Sequence, residues 1–290
     1  MSALDEVRGY YDANTARFER FGQGQGTLHR AVWGEGVGSR NEAFRYVDEL
    51  IWRELTELAI SEETAHVLDL GCGVGSSLAF LASRGAIRGT GATLSGVQVR
   101  RARERGIQAG LADRLRFVEA DFLSLPSDVP RAHLAFSIEA FVHGLDPAAY
   151  FAAAARYLHP GGTLVVCDDF LAREEAPSSS EGARWLREVR TCWLANTLVT
   201  TDEANELAHR AGFELRKNLD LTPYLELGRA RDRLISWLVT VGRRLPLGGF
   251  GWQSLVGGNA LQRALESGLI EYRFVVWQLC GSNAHEARAP

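Results

Sequence analysis

The sequence predicts an α/β fold built on a doubly wound, mostly parallel seven-stranded sheet, with a helical segment at its N-terminus and a helical cap inserted late. Three observations predict it. From Ala65 onward, short apolar runs alternate with stretches of helical length, the pattern of βαβ units whose helices cover both faces of a parallel sheet. The first run, His66–Leu70, passes straight into the glycine cluster of "LGCGVG" (Leu70–Gly75), a strand–turn–helix junction. The closing segment "LIEYRFVVWQLC" is rich in β-branched and aromatic residues, which fit a half-buried pleated surface.

In chain order, residues 1–60 read as helical. They contain "LDEVRGYYDANTARFERF", a glycine-rich loop "GQGQGTLHRAVWGEGVGSR", and the amphipathic "NEAFRYVDELIWRELTEL". Residues 61–170 form the core. Its strands are "HVLDL", "AIRGTGATL", "RLRFVEA", "AHLAFSIE" and "GGTLVVCDD", and its helices are "VGSSLAFLASR", "SGVQVRRARERGIQAG" and "DPAAYFAAAARYL". "HPGG" (His159–Gly162) reads as a turn ending the last helix. Residues 171–268 open on the polar "LAREEAPSSSEGA" and run on as a helical cap interrupted by a sixth strand, "FELRKNLDL". Residues 269–290 return to the sheet, and the whole reads as one integrated domain.

The 290 residues carry a formal charge of -4, and 46% of them are hydrophobic. That balance speaks against a nucleic-acid binder, which needs a basic footprint. Cys72, Cys167, Cys192 and Cys280 are scattered without a C-x-x-C pair, so neither a disulfide framework nor a zinc site is expected and a reducing cytoplasm fits. No apolar run approaches the length of a spanning helix. The oligomeric state cannot be read from the sequence.

Gly71, Gly73 and Gly75 suit a tight turn that lets a ligand approach the backbone at the first βα junction. The spacing is G-x-G-x-G with Asp69 ahead of it, which departs from the G-x-G-x-x-G of dinucleotide binders. "VLDLGCGVG" resembles the first motif of class I S-adenosylmethionine-dependent methyltransferases. The resemblance extends through "GATLSGVQVRRARERGIQAGLADRLRFVEADFLSLP" and "SIEAFVHGLDPAAYFAAAARYLHPGGTLVVCDDF" and back to "YYDANTARF". It implies a Rossmann-like methyltransferase fold and S-adenosylmethionine as cofactor. In that family the loop of Gly71 and Gly73 would hold the amino-acid end of the cofactor, with Asp69 nearby. "ATLS" (Ala92–Ser95) stands where the commonest version has an acidic residue. In this it is similar to the branch that methylates sterols, tocopherols and prenyl diphosphates. There Thr93, Leu94 and Gln98 would lie near the ribose and adenine, Asp121 and Phe122 at the adenine edge, and Ser137 beside the cofactor. Taken alone, Asp121 is equally a helix cap.

Glu139 ends the fourth strand at the carboxyl end of the sheet, beside the cofactor crevice. The same branch has a glutamate at the matching place. An alkene that attacks a methyl group becomes a cation, which a carboxylate can stabilise and deprotonate; the plain alternative is an ion-paired carboxylate. His143 follows four residues on and would share a helical face with it, as a second acid–base group or a structural histidine. Tyr10 and Tyr11 resemble lid tyrosines of that branch, or simply pack an amphipathic helix. Candidate substrate contacts are His29, Arg30, Trp33, Trp185 and Trp193, against the alternative of surface charge and core aromatics. "RARDRL" with Arg243 and Arg244 reads as a diphosphate site or, more simply, a solvated helix face. No metal cluster is evident; magnesium would enter with a diphosphate substrate, at most through Asp168–Asp169.

The reading is a methyltransferase acting on a lipophilic small molecule, preferably at an alkene carbon of an isoprenoid such as a prenyl diphosphate or terpenoid, with cyclisation coupled to it in some cases. Its rivals are O- or N-methylation of a natural product, and a cofactor-bound cyclase or binding protein that no longer methylates.

Overall fold

Strand β1 (Ala65–Leu70) pairs in parallel with β2 (Ile87–Thr93) and with β4 (Ala132–Ile138), β2 pairs with β3 (Leu115–Glu119), and β4 with β5 (Leu158–Leu171). The last strand, β7 (Ile270–Leu279), runs antiparallel between β5 and β6 (Phe213–Asp220), giving a seven-stranded sheet of order β3-β2-β1-β4-β5-β7-β6. The mostly parallel, doubly wound expectation is met. The computed structural model describes residues 5, 7–9, 11–12, 29–58, 64–174, 177, 179–243 and 248–281.

The period-two alternation of the central strands divides the core into two layers. Val67, Phe136 and Val165 face one way, onto α1 (Arg40–Glu57), α2 (Ser76–Arg84) and α3 (Gly96–Gln108). Leu68, Ala135 and Val166 face the other, onto α4 (Pro147–Tyr157) and α6 (Thr201–Arg210). A strand buried on both faces must be apolar throughout, which is why these strands stood out in the sequence. Between α4 and α6 come β5 and α5 (Ser180–Cys192); α7 (Ala230–Gly242) and α8 (Phe250–Glu266) follow β6. α8 packs against α5 and lies near α7.

Local sequence sets the helix starts. Ser39 and Glu42 form a reciprocal capping box on α1, the Glu42 amide donating to Ser39 Oγ at 3.3 Å and the Ser39 amide to the Glu42 carboxylate at 2.9 Å. Such a cap stabilises a helix by about 1 kcal/mol. Ser95, Asp146, Ser179 and Thr200 cap α3, α4, α5 and α6 in the same way.

Two expectations need correcting. The His159–Gly162 turn lies inside β5, which begins already at Leu158 and bends at Gly161, where φ is +80°. The region after Phe170 is only partly a cap: β6 is the edge strand of the sheet and α6 packs beneath it beside α4. The edge is charged with Glu214, Arg216 and Lys217, which discourages pairing with other chains. Among the described residues no helix is long and apolar enough to cross a membrane.

Candidate active site

The carboxyl ends of β1, β2, β4 and β5 open into one cavity of about 440 Å³, walled above by residues of α7, α8 and the end of α5. At its floor the chain turns out of β1 through three glycines with positive φ, 99° at Gly71, 51° at Gly73 and 72° at Gly75. The turn is closed by the Gly71 and Cys72 amides, which both donate to the Ala92 carbonyl, at 2.9 and 2.8 Å. A Cβ on Gly71 would stand 2.3 Å from the Ala140 Cβ, so the close approach of this turn to the end of β4 admits only glycine.

Asp69 is buried beside this turn and lines the cavity. Burial, and then the nearby Asp48 carboxylate, push its carboxyl well above the usual range. No described residue donates a hydrogen bond to it. A buried acid without a donor is costly, and a cationic ligand group in the cavity would relieve that cost.

At the end of β2 the Thr93 hydroxyl donates to Gln98 Oε1 at 2.6 Å. Thr93, Leu94 and Gln98 all line the cavity. The helical residues near the N-terminus close against this corner: Arg8 Nε donates to the Leu94 carbonyl at 3.2 Å, and the Ser95 hydroxyl donates to Asp12. Tyr11, on the same helical stretch, reaches the cavity; Tyr10 lies outside the described residues. Asp121 and Phe122 line the opposite wall. Asp121 caps no helix; its carboxylate accepts from the Leu123 amide at 2.9 Å in a tight turn. Ser137 does not line the cavity. Its hydroxyl is buried between the Leu70 carbonyl at 2.8 Å and the Tyr150 hydroxyl at 2.7 Å, a strand-bracing role.

Glu139 follows β4 with a left-handed backbone, φ 51°. A non-glycine residue held there is strained, a condition that clusters at functional sites. Its amide donates to the Cys167 carbonyl at 2.9 Å, which fixes the kink. Its Oε1 accepts from the Arg30 amide at 2.9 Å and from the Tyr272 hydroxyl at 3.0 Å. Arg30 Nε stands 3.9 Å away, but the guanidinium fork is engaged by Asp169 through two 2.6 Å bonds. Glu139 lines the cavity, and no described residue donates to its second oxygen. Asp168, beside Asp169, has its carboxyl pushed well up by burial and then by Asp169, against the opposing donation of the Val142 and Asp169 amides. Arg30 thus lies between two carboxylates, Asp169 on its fork and Glu139 near its Nε.

His143 ends a 3-10 turn, Phe141–His143, so it shares no helical face with Glu139, contrary to expectation; both nevertheless line the cavity. His143 Nδ1 lies 3.0 Å from the Leu194 carbonyl. A carbonyl only accepts, so Nδ1 carries the proton and Nε2 keeps its lone pair. Burial lowers the imidazole's pKa, outweighing the backbone bond to Leu194 and the Asp169 and Glu139 charges. Tyr11 packs edge-on against the ring at 5.6 Å between centroids.

Of the other expected contacts, His29 lies on the cavity wall in a buried network, with Nε2 3.6 Å from Asp48 and 3.4 Å from the Ser77 hydroxyl. Burial opposes charging His29, but Asp48 outweighs it and raises its pKa. Trp193 lines the cavity. Trp33 and Trp185 do not: Trp33 packs against the small cluster of Ala31, Ala43 and Phe44, and Trp185 is part of the core under the Arg263 guanidinium, 5.2 Å from its ring centroid. Arg229 and Arg231 border the cavity mouth, where Glu226 and Asp232 pair with Arg229 and Glu226 also holds Arg40 at 3.1 Å. Arg243 is paired with Glu188 at 2.6 Å, and Arg244 lies outside the described residues. Between floor and mouth the walls are apolar, with Phe44, Val142, Leu225, Leu227, Leu261 and Leu265. Among the described residues no three His, Cys, Asp or Glu side chains are grouped to hold a metal.

Tyr272 and Asp48 are the site residues that sequence reasoning missed, and Asp169, named there only in connection with magnesium, instead holds Arg30. Asp48 did carry a signal, an acid on the face of α1 that also presents Phe44, Val47 and Ile51 to the core. For Tyr272 no local signal exists.

A methyltransferase-domain family model matches residues 67–162. An O-methyltransferase, cnsE, of Penicillium expansum is 31% identical over 201 residues, 69% of each chain. Cycloartenol-C-24-methyltransferase 1 of Oryza sativa subsp. japonica is 29% identical over 248 residues, 83% of this chain and 70% of its own. The fold matches that of the [4+2]-cyclase SpnF with a TM-score of 0.72 at 21% identity, over 97% of this chain and 98% of that one. It also matches geranyl diphosphate C-methyltransferase of Streptomyces coelicolor A3(2), crystallised with Mg2+, geranyl diphosphate and S-adenosyl-L-homocysteine, with a TM-score of 0.68 at 17% identity over 96% and 98%.

Proposed function

The chain belongs to the class I S-adenosylmethionine-dependent methyltransferases, and from that premise we propose that it methylates an alkene carbon of a lipophilic isoprenoid acceptor. When bound, S-adenosylmethionine supplies an electrophilic methyl group on a sulfonium centre. Asp69 takes its ammonium end, Gly71 and Gly73 present bare backbone to the amino-acid portion, Thr93, Leu94 and Gln98 meet the ribose and adenine, and Asp121 and Phe122 flank the adenine edge. Tyr11, which reaches the cavity, belongs to the lid that excludes water. Four free cysteines are in keeping with a reducing cytoplasm as its compartment.

The observation that carries this reading is the Glu139 carboxylate at the cavity wall, fixed by a strained backbone and two donors, with no described donor to its second oxygen and Arg30 already committed to Asp169. An acceptor alkene that gains a methyl group becomes a carbocation. A carboxylate at the wall of this cavity stabilises that cation, and Glu139 is placed to remove the proton that restores a double bond. The likeness to a sterol C-24-methyltransferase supports this class of acceptor. Because Glu226 and Asp232 already pair with rim arginines, a terpenoid fits the cavity better than a prenyl diphosphate, which would bring magnesium with it.

A second reading rests on His143. His143 lines the same cavity and its Nε2 keeps a lone pair, which a base needs to take a hydroxyl proton during O-methylation, and an O-methyltransferase stands among the relatives. The deciding experiment supplies the protein and labelled S-adenosylmethionine with terpenoid alkenes, prenyl diphosphates, sterols and phenols in parallel. A methyl group bonded to carbon, by mass spectrometry and NMR of the product, supports the first reading. A product methyl on oxygen, or cofactor bound with no labelled product from any acceptor, overturns it.

A further inference from the structure

Helix α7 presents an apolar face to solvent. Leu234, Trp237, Leu238 and Val241 are 56, 60, 44 and 44% exposed. Their i, i+3, i+4, i+7 spacing lays them along one stripe. On the opposite side only Val239 and Gly242 are buried. Other large exposed hydrophobic side chains, such as Ile107 and Leu215, are distributed over different elements; among the described residues only those on α7 make a continuous helical stripe, and such a face marks a contact surface.

The exposed charges flanking the stripe are cationic. Arg231 and Arg233 are exposed on its two flanks at the start of the helix; Asp232 between them is largely covered, its side chain 9% exposed, with its carboxylate 3.2 Å from Arg229 and 3.8 Å from Arg231. Arg233 donates to the Gly228 carbonyl at 3.2 Å and pairs with no carboxylate among the described residues. Cations at a helix N-terminus oppose the macrodipole, and a partly exposed pair such as Arg231–Asp232 contributes little, so these two arginines add little to the stability of α7. A self-complementary contact between two copies would require charges of both signs. An anionic surface requires only this one. The helix is 13 residues long, about 20 Å, too short to span a bilayer and suited to lie in its interface. Its first turn belongs to the mouth of the cavity, through Arg229, Arg231 and Asp232.

We propose that the outer face of α7 docks on the surface of an anionic lipid bilayer, with Leu234, Trp237, Leu238 and Val241 in the headgroup–acyl boundary and Arg231 and Arg233 on the lipid phosphates. The cavity mouth then opens beside the membrane, and an acceptor dissolved in lipid reaches Glu139 without crossing water. The docking stands on the helix face alone; only the delivery of acceptor rests on the proposed function, and the test below reads no turnover.

The test is co-sedimentation of the full chain with vesicles of phosphatidylcholine alone and of phosphatidylcholine with about one third phosphatidylglycerol, at low and high salt, beside light scattering for mass. The expected result is binding to the anionic vesicles that weakens with salt. Trp237→Glu should lower the partition coefficient by about tenfold or more, and Arg233→Gln should lower it about fivefold on anionic vesicles only. All these side chains are exposed, so the variants should keep the wild-type melting temperature, and Thr240→Ser serves as the control that leaves binding unchanged. Absence of vesicle binding by wild type overturns the proposal. So does a wild-type dimer that Trp237→Glu splits while neither form binds vesicles, which assigns the face to a second copy of the chain.

Discussion

Tyr272 and Glu139 lie 133 positions apart in the chain, and the hydroxyl of the first donates to the carboxylate of the second at 3.0 Å. The meeting follows from the one antiparallel insertion in the sheet: β7 runs against β5 with Tyr272 opposite Asp169, which carries the phenol to the end of β4. Burial, then the neighbouring Cys167 and Glu139, hold the phenol well above its ordinary pKa, so it remains a donor at any working pH. Tyr272→Phe removes one of two donors to Glu139 Oε1 while keeping the ring under Arg30. Turnover should fall about tenfold, the scale of one hydrogen bond to a charged group, with cofactor affinity unchanged by calorimetry.

Glu139→Gln keeps the shape and removes the charge. On the proposed mechanism kcat should fall about 100-fold or more, while the dissociation constant for S-adenosylhomocysteine stays within twofold or so, an effect of a few tenths of a kcal/mol. Wild-type turnover in this variant would remove Glu139 from the chemistry.

Arg30→Met leaves Asp169, whose side chain is 2% exposed, without its cation. Removing one partner of a buried ion pair costs about 3–5 kcal/mol, and the expected outcome is a marked loss of denaturant midpoint. The double variant Arg30→Met with Asp169→Asn should recover a large part of that loss, because no uncompensated charge then remains. Equal midpoints for the single and double variants would contradict the pairing.

Gly71→Ala should abolish cofactor binding. The added methyl meets Ala140 Cβ at 2.3 Å, on a backbone with φ 99°, so the turn must open. Strain of this kind costs about 1–3 kcal/mol, visible as a lower melting temperature, and S-adenosylhomocysteine should no longer raise that temperature.

The pH dependence turns on His143. Burial lowers its pKa below 6.5, so its unprotonated form persists to more acidic pH than an exposed histidine's would. If His143 is the base, kcat/KM falls on the acid side only below about pH 6.5, and His143→Asn removes that limb. The stability sign follows from the same shift. Below 6.5 the unfolded chain binds the proton that the folded chain refuses, so stability is lost as pH falls through that window. His66 shifts in the same direction, through burial and then the charges of His133 and His159, against a backbone bond to Arg131, so an acid-labile component should remain in His143→Asn.

The strands were legible because each central one is buried on both faces, and a doubly buried strand cannot hide its apolar run. Asp69, beside the glycine turn, and Thr93, Gln98 and Phe122, named through the family resemblance, do line the cavity. What was not legible is pairing at long range. Nothing in "LHRAVW" says that Arg30 will clamp Asp169 in β5, or that its own amide will hold Glu139. Trp185 and Ser137 misled for the converse reason: an aromatic residue and a hydroxyl fit a site and a core equally well until the neighbours, Arg263 for one and Tyr150 for the other, are known.

The place of β7 between β5 and β6 also sets an order of events during synthesis. β6 leaves the ribosome first but has no neighbour to join until β7 arrives. The phenol that steadies Glu139 arrives with that same strand. In a nascent chain the glycine turn after β1 and the bonds of Glu139 to Arg30 and Cys167 therefore lie wholly in chain already made, while the third partner of that glutamate is among the last residues to arrive.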